Sequence, residues 1–372
     1  MDGLDAVLAD AVAAGIPFVV AGVADRDSVI WTGAAGEART DSVFALYSVT
    51  KAFTVTAALQ CVEDELIDLD APARRYVPEI AELRVLESLD EDGSLRTRPP
   101  SRDITVRMLL LHTSGLGYDM FDPRCAQLAR ERMRHPSATP LHDVLMTPLL
   151  HDPGERWTYG TSIDWLGLVV AAVRGQRLED VFRERIYEPC GMASTSFDLP
   201  ADLRQRLVTP HRRDRSGQIV PSPIVPPDSP EIDMGGQGLF STVPDVLALL
   251  RVWLGDGSGV LRPETVERAV RGVPGVVVTP LTSAIPALTR DAEFFPGMPV
   301  SWATSFLVND RDVLGGRRAG SLSWAGLGNV HYWIDRRTGL AAAWATQLLP
   351  FFDPVVVDAV HAFEQEVYRT FG

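Results

Sequence analysis

The chain has 372 residues, 46% hydrophobic and 23% charged, which excludes a disordered segment, a collagen-like fibre and a small disulfide scaffold. Its formal net charge of −14 and isoelectric point of about 5.0 exclude the basic footprint of a nucleic-acid binder. Three widely spaced cysteines, Cys61, Cys125 and Cys190, form neither a disulfide framework nor a zinc pattern.

At roughly 150 residues per domain, the length predicts two domains or one with an insertion. Met1-Asp2-Gly3-Leu4-Asp5 lacks the basic and apolar regions of an export signal. The longest apolar runs, such as Leu166 to Val173, fall short of the roughly 18 residues of a spanning helix. The expectation is a cytoplasmic protein without a membrane partner. The sequence sets no oligomeric state.

In chain order, residues 3–14 predict a short amphipathic helix carrying Leu4, Val7, Leu8 and Val12 on one face. Residues 18–23 predict a strand, Asp25-Arg26-Asp27 a turn, and 28–32 a returning strand. A helix from Ser48 to Glu63 follows, rich in Ala, Thr and Val and expected to be buried all round. From Asp68 to Asp233 short helical patterns, such as 105–111 and 163–173, alternate with proline-rich loops and no strand pattern stands out. Asp90-Glu91-Asp92-Gly93 reads as a solvated acidic turn, lacking the spacing of a calcium loop. Residues 220–230 read as a proline-dense loop, and 244–254 as a helix capped by Ser241 or Thr242. Two hairpins are expected next: 303–308 with 312–314, and 328–334 with 340–347. A final amphipathic helix covers 354–368. Strands at both ends around a helical middle predict an α/β fold (α+β) with one antiparallel sheet. Residues 1–67 and 234–372 would build that domain, and 68–233 a mostly helical inserted one.

Several chemistries lack their motifs. There is no G-x-S-x-G elbow, no H-E-x-x-H, no phosphate-binding G-x-x-x-x-G-K-[ST] and no G-x-G-x-x-G opening a helix after a strand. The seven histidines do not cluster at ligand spacing. Neither a metal nor an organic cofactor is expected.

The basic residues carry more information. Lys and Arg together number 35, yet Lys51 is the single lysine. Arginine replaces lysine freely on a solvated surface, but a guanidinium cannot act as a base at neutral pH. Lys51 lies three residues after Ser48, at the start of a buried helix, so both fall on one face, one turn apart. A serine hydroxyl is a weak nucleophile until a base activates it. Free N–H groups and the helix dipole at that terminus favour developing negative charge. Ser-x-x-Lys alone is a weak pattern; a unique lysine strengthens it.

The segments Tyr47-Ser48-Val49-Thr50-Lys51, Leu110 to Leu116 with His112-Thr113-Ser114-Gly115, and Gly235 to Thr242 resemble, in order, the landmarks of the serine β-lactamase and penicillin-binding-protein superfamily. They are most similar to its class C branch, with its family VIII carboxylesterases and related transacylases. The resemblance implies a β-lactamase/transpeptidase-like fold and three catalytic boxes. Ser48 and Lys51 match the first. Tyr159 and Thr161 match the Tyr-x-Asn of the second, with Thr161 in the Asn place. The resemblance implies that Tyr159 shuttles the proton with Lys51 and that Thr161 contacts substrate. Ser323-Trp324-Ala325-Gly326-Leu327 matches the third, usually Lys-Thr-Gly, so Trp324, Ala325 and Gly326 are substrate-binding candidates. The backbone N–H groups of Ser48 and Leu327 would form the oxyanion hole. Arg317, Arg318 and His331 lie nearby in sequence and read as surface residues.

The expected activity is cleavage of small carboxylic esters through an acyl-serine intermediate. Acyl transfer by the same residues is the first alternative. A β-lactamase or D-Ala-D-Ala peptidase fits less well, because the third-box lysine that helps bind a substrate carboxylate is replaced by Trp324. A non-catalytic binding protein would have no use for the Ser48, Lys51 and Tyr159 set.

Overall fold

The computed structural model describes residues 2–90, 94–134 and 145–372. Apolar runs from both chain ends build one seven-stranded sheet. Its strands are Phe18–Ala24 (β1), Val29–Gly36 (β2), Val300–Trp302 (β3), Leu307–Asn309 (β4), Leu322–Gly326 (β5), Val330–Asp335 (β6) and Leu340–Ala345 (β7). Their order is β2-β1-β7-β6-β5-β4-β3, and every pairing is antiparallel. β1 pairs with β7 from Val20 opposite Ala345 to Ala24 opposite Ala341, which joins the two ends of the chain.

Both sheet faces are covered, so the central strands read as unbroken apolar runs. Alternate residues face opposite layers. Val19, Ala21 and Val23 join Trp333, Trp344 and Phe363 on one side, while Phe18, Val20 and Ala24 join the larger core on the other. The first layer is closed by the helices Asp2–Ala13 (α1) and Pro354–Phe371 (α5). The larger core holds Thr50–Glu63 (α2), Ser162–Arg174 (α3) and Val243–Leu254 (α4). Thr242 caps α4 by accepting from Asp245 N–H, and Asp353 caps α5 by accepting from Val355 N–H. Such caps contribute about 1 kcal/mol each. Every residue of α2 from Thr50 to Cys61 is buried, as its composition predicts.

Three expectations need correction. The hairpin of 303–308 with 312–314 does not form: Leu307–Asn309 pairs with Val300–Trp302 instead. Ser305 takes a left-handed φ of 61°, Ala303 N–H closes the tight turn onto Phe306 O, and the Asn309 amide binds the carbonyls of Arg311 and Arg318. Those bonds hold the segment after β4 as a loop. Second, residues 68–233 do contain strands. Val85–Leu89 pairs with Leu95–Arg98, and His211–Arg213 with Ile219–Pro221. They are short and partly polar, so no apolar alternation announces them. Third, β2 runs on to Gly36; its Gly and Ala residues lack strand propensity, and pairing with β1 decides. Residues 91–93 of the expected acidic turn lie outside the described residues.

Candidate active site

The site is assembled around the entry to α2. A single 3₁₀ turn, Tyr47–Val49, leads into the helix, and Tyr47 is left-handed at φ 47°. A tyrosine there is strained and needs support. Its hydroxyl donates to Ile224 O at 2.8 Å. Gly326, at the end of β5, packs beneath the preceding residue: a Cβ on Gly326 would lie 2.2 Å from Leu46 O. The glycine of the third box therefore has a steric task. It lets the sheet edge press against the turn that presents Ser48.

Ser48 is half-buried. Its Oγ accepts from Lys51 Nζ at 3.0 Å and from the Tyr159 hydroxyl at 2.7 Å. The Tyr159 oxygen in turn accepts from Trp324 Nε1 at 2.9 Å. Edge-to-face packing of Tyr159 on Trp324, with centroids 4.9 Å apart, fixes the ring. His112 lies on the other side of Tyr159 at 5.0 Å. Burial, reinforced by the Lys51 charge, holds the His112 pKa well below its ordinary value, so that ring is neutral.

Lys51 is 1% exposed. Besides Ser48, its amine donates to the Gly236 carbonyl at 2.8 Å and the Tyr118 oxygen at 3.1 Å. Thr54, one turn along α2, donates to Gly235 O at 2.6 Å, and Thr50 Oγ1 accepts from Leu239 N–H at 3.2 Å. The threonines of α2 thus hold the 235–239 segment across the Lys51 face. Tyr118 donates to the buried Asp164. Burial, with Asp164 as the next cause, pushes the Tyr118 phenol well above its ordinary range, so it keeps its proton.

Ser48, Tyr118, Tyr159, Trp324, Ala325 and Leu327 line one cleft of about 420 Å³, counting the part open to solvent. Of the expected site residues, the fold brings together Ser48, Lys51, Tyr159, Trp324, Ala325 and Leu327. Gly326 sits behind that cleft. Thr161 stands apart: it lines the adjoining groove, and its hydroxyl finds no partner among the described residues. Gly236 O and Tyr118, not Thr161, hold Lys51. Sequence reasoning missed Tyr118 and Asp164. The only available signal was a lone acid in the apolar run Ile163-Asp164-Trp165-Leu166, since acids are rarely buried without a reason. Arg317 and His331 are also buried, against expectation. Arg317 is paired to Glu364 at 2.7 Å.

Among the described residues no group of His, Cys, Asp and Glu side chains could hold a metal ion. No described helix is long and apolar enough to cross a membrane.

The β-lactamase family profile matches residues 4–366. The chain belongs to the β-lactamase family. It is 31% identical to monacolin J acid methylbutanoyltransferase of Aspergillus terreus, over 89% of this chain and 83% of that protein. It is equally similar, at 31%, to lovastatin esterase of Penicillium rubens, over 89% of this chain and 86% of that one. Among solved structures, unliganded simvastatin synthase of Aspergillus terreus superposes with a TM-score of 0.83 at 28% identity, covering 99% of this chain and 98% of that one. The protein is therefore an enzyme of the esterase and acyltransferase branch of the family, whose members act on small molecules.

Proposed function

We propose that the protein transfers the acyl group of a neutral carboxylic ester to Ser48 and then hydrolyses the acyl-enzyme. The observation carrying this reading is Ser48 Oγ within hydrogen-bond reach of both Lys51 Nζ and the Tyr159 hydroxyl, 3.0 and 2.7 Å away. Ser48 attacks the carbonyl while Lys51, with Tyr159, takes the proton and returns it to the leaving alcohol. The N–H groups of Ser48 and Leu327 face the developing oxyanion. Trp324 and Ala325 bound the acyl group, and Thr161 contacts the part of the substrate lying in the groove. The same proposal reads residues 1–67 with 234–372 as one unit and 68–233 as the other, since the cleft draws its lining from both.

Acyl transfer is the second reading, and one observation favours it. Beyond Tyr118, Gln237 and Leu327, the cleft opens into a groove of about 1920 Å³, counting the part open to solvent. Met120, Leu128, Val225, Pro226, Ile232 and Leu288 give it a largely apolar wall. A short ester leaves that space empty, whereas a bulky apolar alcohol fills it.

The test has two parts. A fluorophosphonate should label Ser48, and Ser48→Ala should abolish both labelling and the acyl-enzyme burst while the fold stays intact; labelling that survives the change removes Ser48 from the mechanism. Product analysis with a butyryl ester, with and without a bulky apolar alcohol, then separates hydrolysis from transfer. A p-nitrophenyl ester should be turned over far faster than a chromogenic cephalosporin, and the opposite preference would replace the esterase reading by the lactamase one.

A further inference from the structure

The reaction as proposed has no direct use for Asp164. This acid lies in the first turn of α3, 1% exposed. Its nearest positive charge, Lys51, is reached only through other groups. Oδ1 accepts the Gly236 N–H at 2.8 Å, and Oδ2 accepts the Tyr118 O–H at 3.2 Å. Those two groups turn their other sides to Lys51: the Gly236 carbonyl at 2.8 Å and the Tyr118 oxygen at 3.1 Å. The fit is close. A Cβ on Gly236 would stand 2.3 Å from Asp164 Oδ2, so the approach requires glycine.

We propose that Asp164 is a positioning residue that sets the direction of every hydrogen bond around Lys51 and leaves the amine's lone pair facing Ser48. The inference rests on the reading of Lys51 as the base. As an ammonium Lys51 donates to Ser48, Tyr118 and Gly236; as the neutral base it has two N–H bonds and one lone pair, and one of those three contacts must reverse. The Tyr118 proton is committed to Asp164, so toward Lys51 the phenol oxygen can only accept. The Gly236 carbonyl, on the residue whose N–H Asp164 anchors, also only accepts. Both N–H bonds of the amine are then used, and the remaining direction is that of Ser48 Oγ, 3.0 Å away. As the Oγ–C bond forms, the Ser48 O–H bond breaks and its proton moves onto Nζ. The carbonyl electron pair becomes the oxyanion. When the tetrahedral adduct collapses, that proton leaves with the alcohol. Nothing is oxidised or reduced. The transient ammonium is two hydrogen bonds from the carboxylate.

Asp164→Asn is nearly isosteric and reverses one of the two bonds. The amide oxygen keeps the Gly236 N–H. The amide NH₂ then faces the Tyr118 oxygen, and the phenol proton turns onto the Lys51 lone pair. The experiment is single-turnover acylation of the full chain by p-nitrophenyl butyrate, followed by its p-nitrophenol burst. It compares the unaltered protein, Asp164→Asn, Tyr118→Phe and the double variant. Asp164→Asn should slow acylation by about 10²–10³, within the roughly 10²–10⁴ range of a lost general base. Tyr118→Phe should slow it by at most about tenfold, the scale of one hydrogen bond. The double variant should be about tenfold faster than Asp164→Asn alone, because the misdirected proton is gone.

Acylation by Asp164→Asn close to that of the unaltered protein overturns the inference, as does a double variant no faster than Asp164→Asn. Should Asp164→Asn fail to fold, Tyr118→Phe carries the test. A loss confined to about tenfold supports the inference. A loss as deep as that of Lys51→Ala makes the phenol itself the proton carrier and overturns it. Lys51→Arg keeps the two levels apart. Activity retained there sinks the base role of Lys51, whereas an inactive Lys51→Arg beside an active Asp164→Asn sinks only the role of Asp164.

Discussion

Of the lysine and arginine side chains in the described residues, two are buried, Lys51 and Arg317, in contrasting ways. Arg317 is held by Glu364 through both side-chain oxygens, at 2.8 and 2.7 Å, and its backbone N–H adds a third bond at 2.9 Å. Its guanidinium lies 4.7 Å from the Trp333 ring centre and 5.6 Å from that of Phe295. Lys51 has no carboxylate partner among the described residues: its amine meets the neutral oxygens of Ser48, Tyr118 and Gly236 and lies 5.1 and 4.8 Å from the ring centres of Tyr118 and Tyr159. A guanidinium clamped by a carboxylate has one charge state and serves the fold. An amine ringed by neutral acceptors, with a nucleophile as one of them, can gain and lose a proton without breaking an ion pair. A direct carboxylate partner thus separates Arg317 from the lysine proposed as the base. Asp164 supplies the negative charge near Lys51 from one group further away.

The sharpest way to break this contrast is to make Lys51 resemble Arg317. Lys51→Arg keeps the charge and removes the ability to accept a proton. The acylation rate should fall about as far as in Lys51→Ala, by roughly 10²–10⁴. Stopped-flow bursts with a p-nitrophenyl ester measure it, and a retained burst would mean that Lys51 acts only as a fixed charge.

The converse change strips Arg317 of its partner. Glu364→Ala leaves a buried, uncompensated guanidinium, and unfolding in urea should show a loss of about 3–5 kcal/mol. The kcat/KM of the molecules that remain folded should stay unchanged, because Arg317 lines no part of the Ser48 cleft. A large fall in kcat/KM would move this pair from scaffold to site.

A smaller effect follows from His331, in the same region. Burial, with Arg317 and His361 as lesser causes, lowers its pKa to about 3. The folded protein therefore holds it neutral where the unfolded chain, near 6.5, would protonate it. The unfolded state binds the extra proton, so stability is full above about pH 6.5 and falls as pH drops towards about 3. At about pH 5 the loss from this group is about 2 kcal/mol. Urea midpoints across that range should show it, and His331→Gln should flatten the slope. An unchanged slope would show that His331 titrates normally.

The smallest effect concerns the wall of the cleft. Trp324→Phe keeps the apolar face but removes the Nε1–H that binds the Tyr159 oxygen. A hydrogen bond of about 0.5–1.5 kcal/mol predicts a two- to tenfold lower kcat/KM. No change would make Trp324 a hydrophobic wall alone.

The parts of the site legible in the sequence were those whose geometry is local. Ser48 and Lys51 are three residues apart, and a helical turn brings them together whatever surrounds them. A lysine kept alone among arginines drew attention to that position, where the proposed mechanism places proton transfer. Tyr159 and the 324–327 segment were found by resemblance to family boxes, because nothing in their own neighbourhoods points to Ser48. Tyr118 is 67 positions from Lys51, in a loop with no catalytic motif, and its contact with the amine is invisible to any local rule. Thr161 was read as a substrate contact by its place in a box; the residue borders the groove, and its hydroxyl is buried without a partner among the described residues.

The sequence by itself determined the element types and the general architecture. Apolar runs buried on two faces give central strands, the Asp335–Gly339 segment turns one hairpin, and α2, rich in Ala, Thr and Val, is buried all round. Those choices follow from periodicity and burial, which a short stretch of chain carries within itself. Only the tertiary structure decided the support of Tyr47 by Ile224 and Gly326 and the ring of acceptors around Lys51. Both depend on groups far apart in sequence meeting, and the acceptors lie about 3 Å from the amine, the range in which a hydrogen bond gains its direction. That direction, set by Asp164 through Tyr118 and Gly236, is a property of the packed whole and of no single segment.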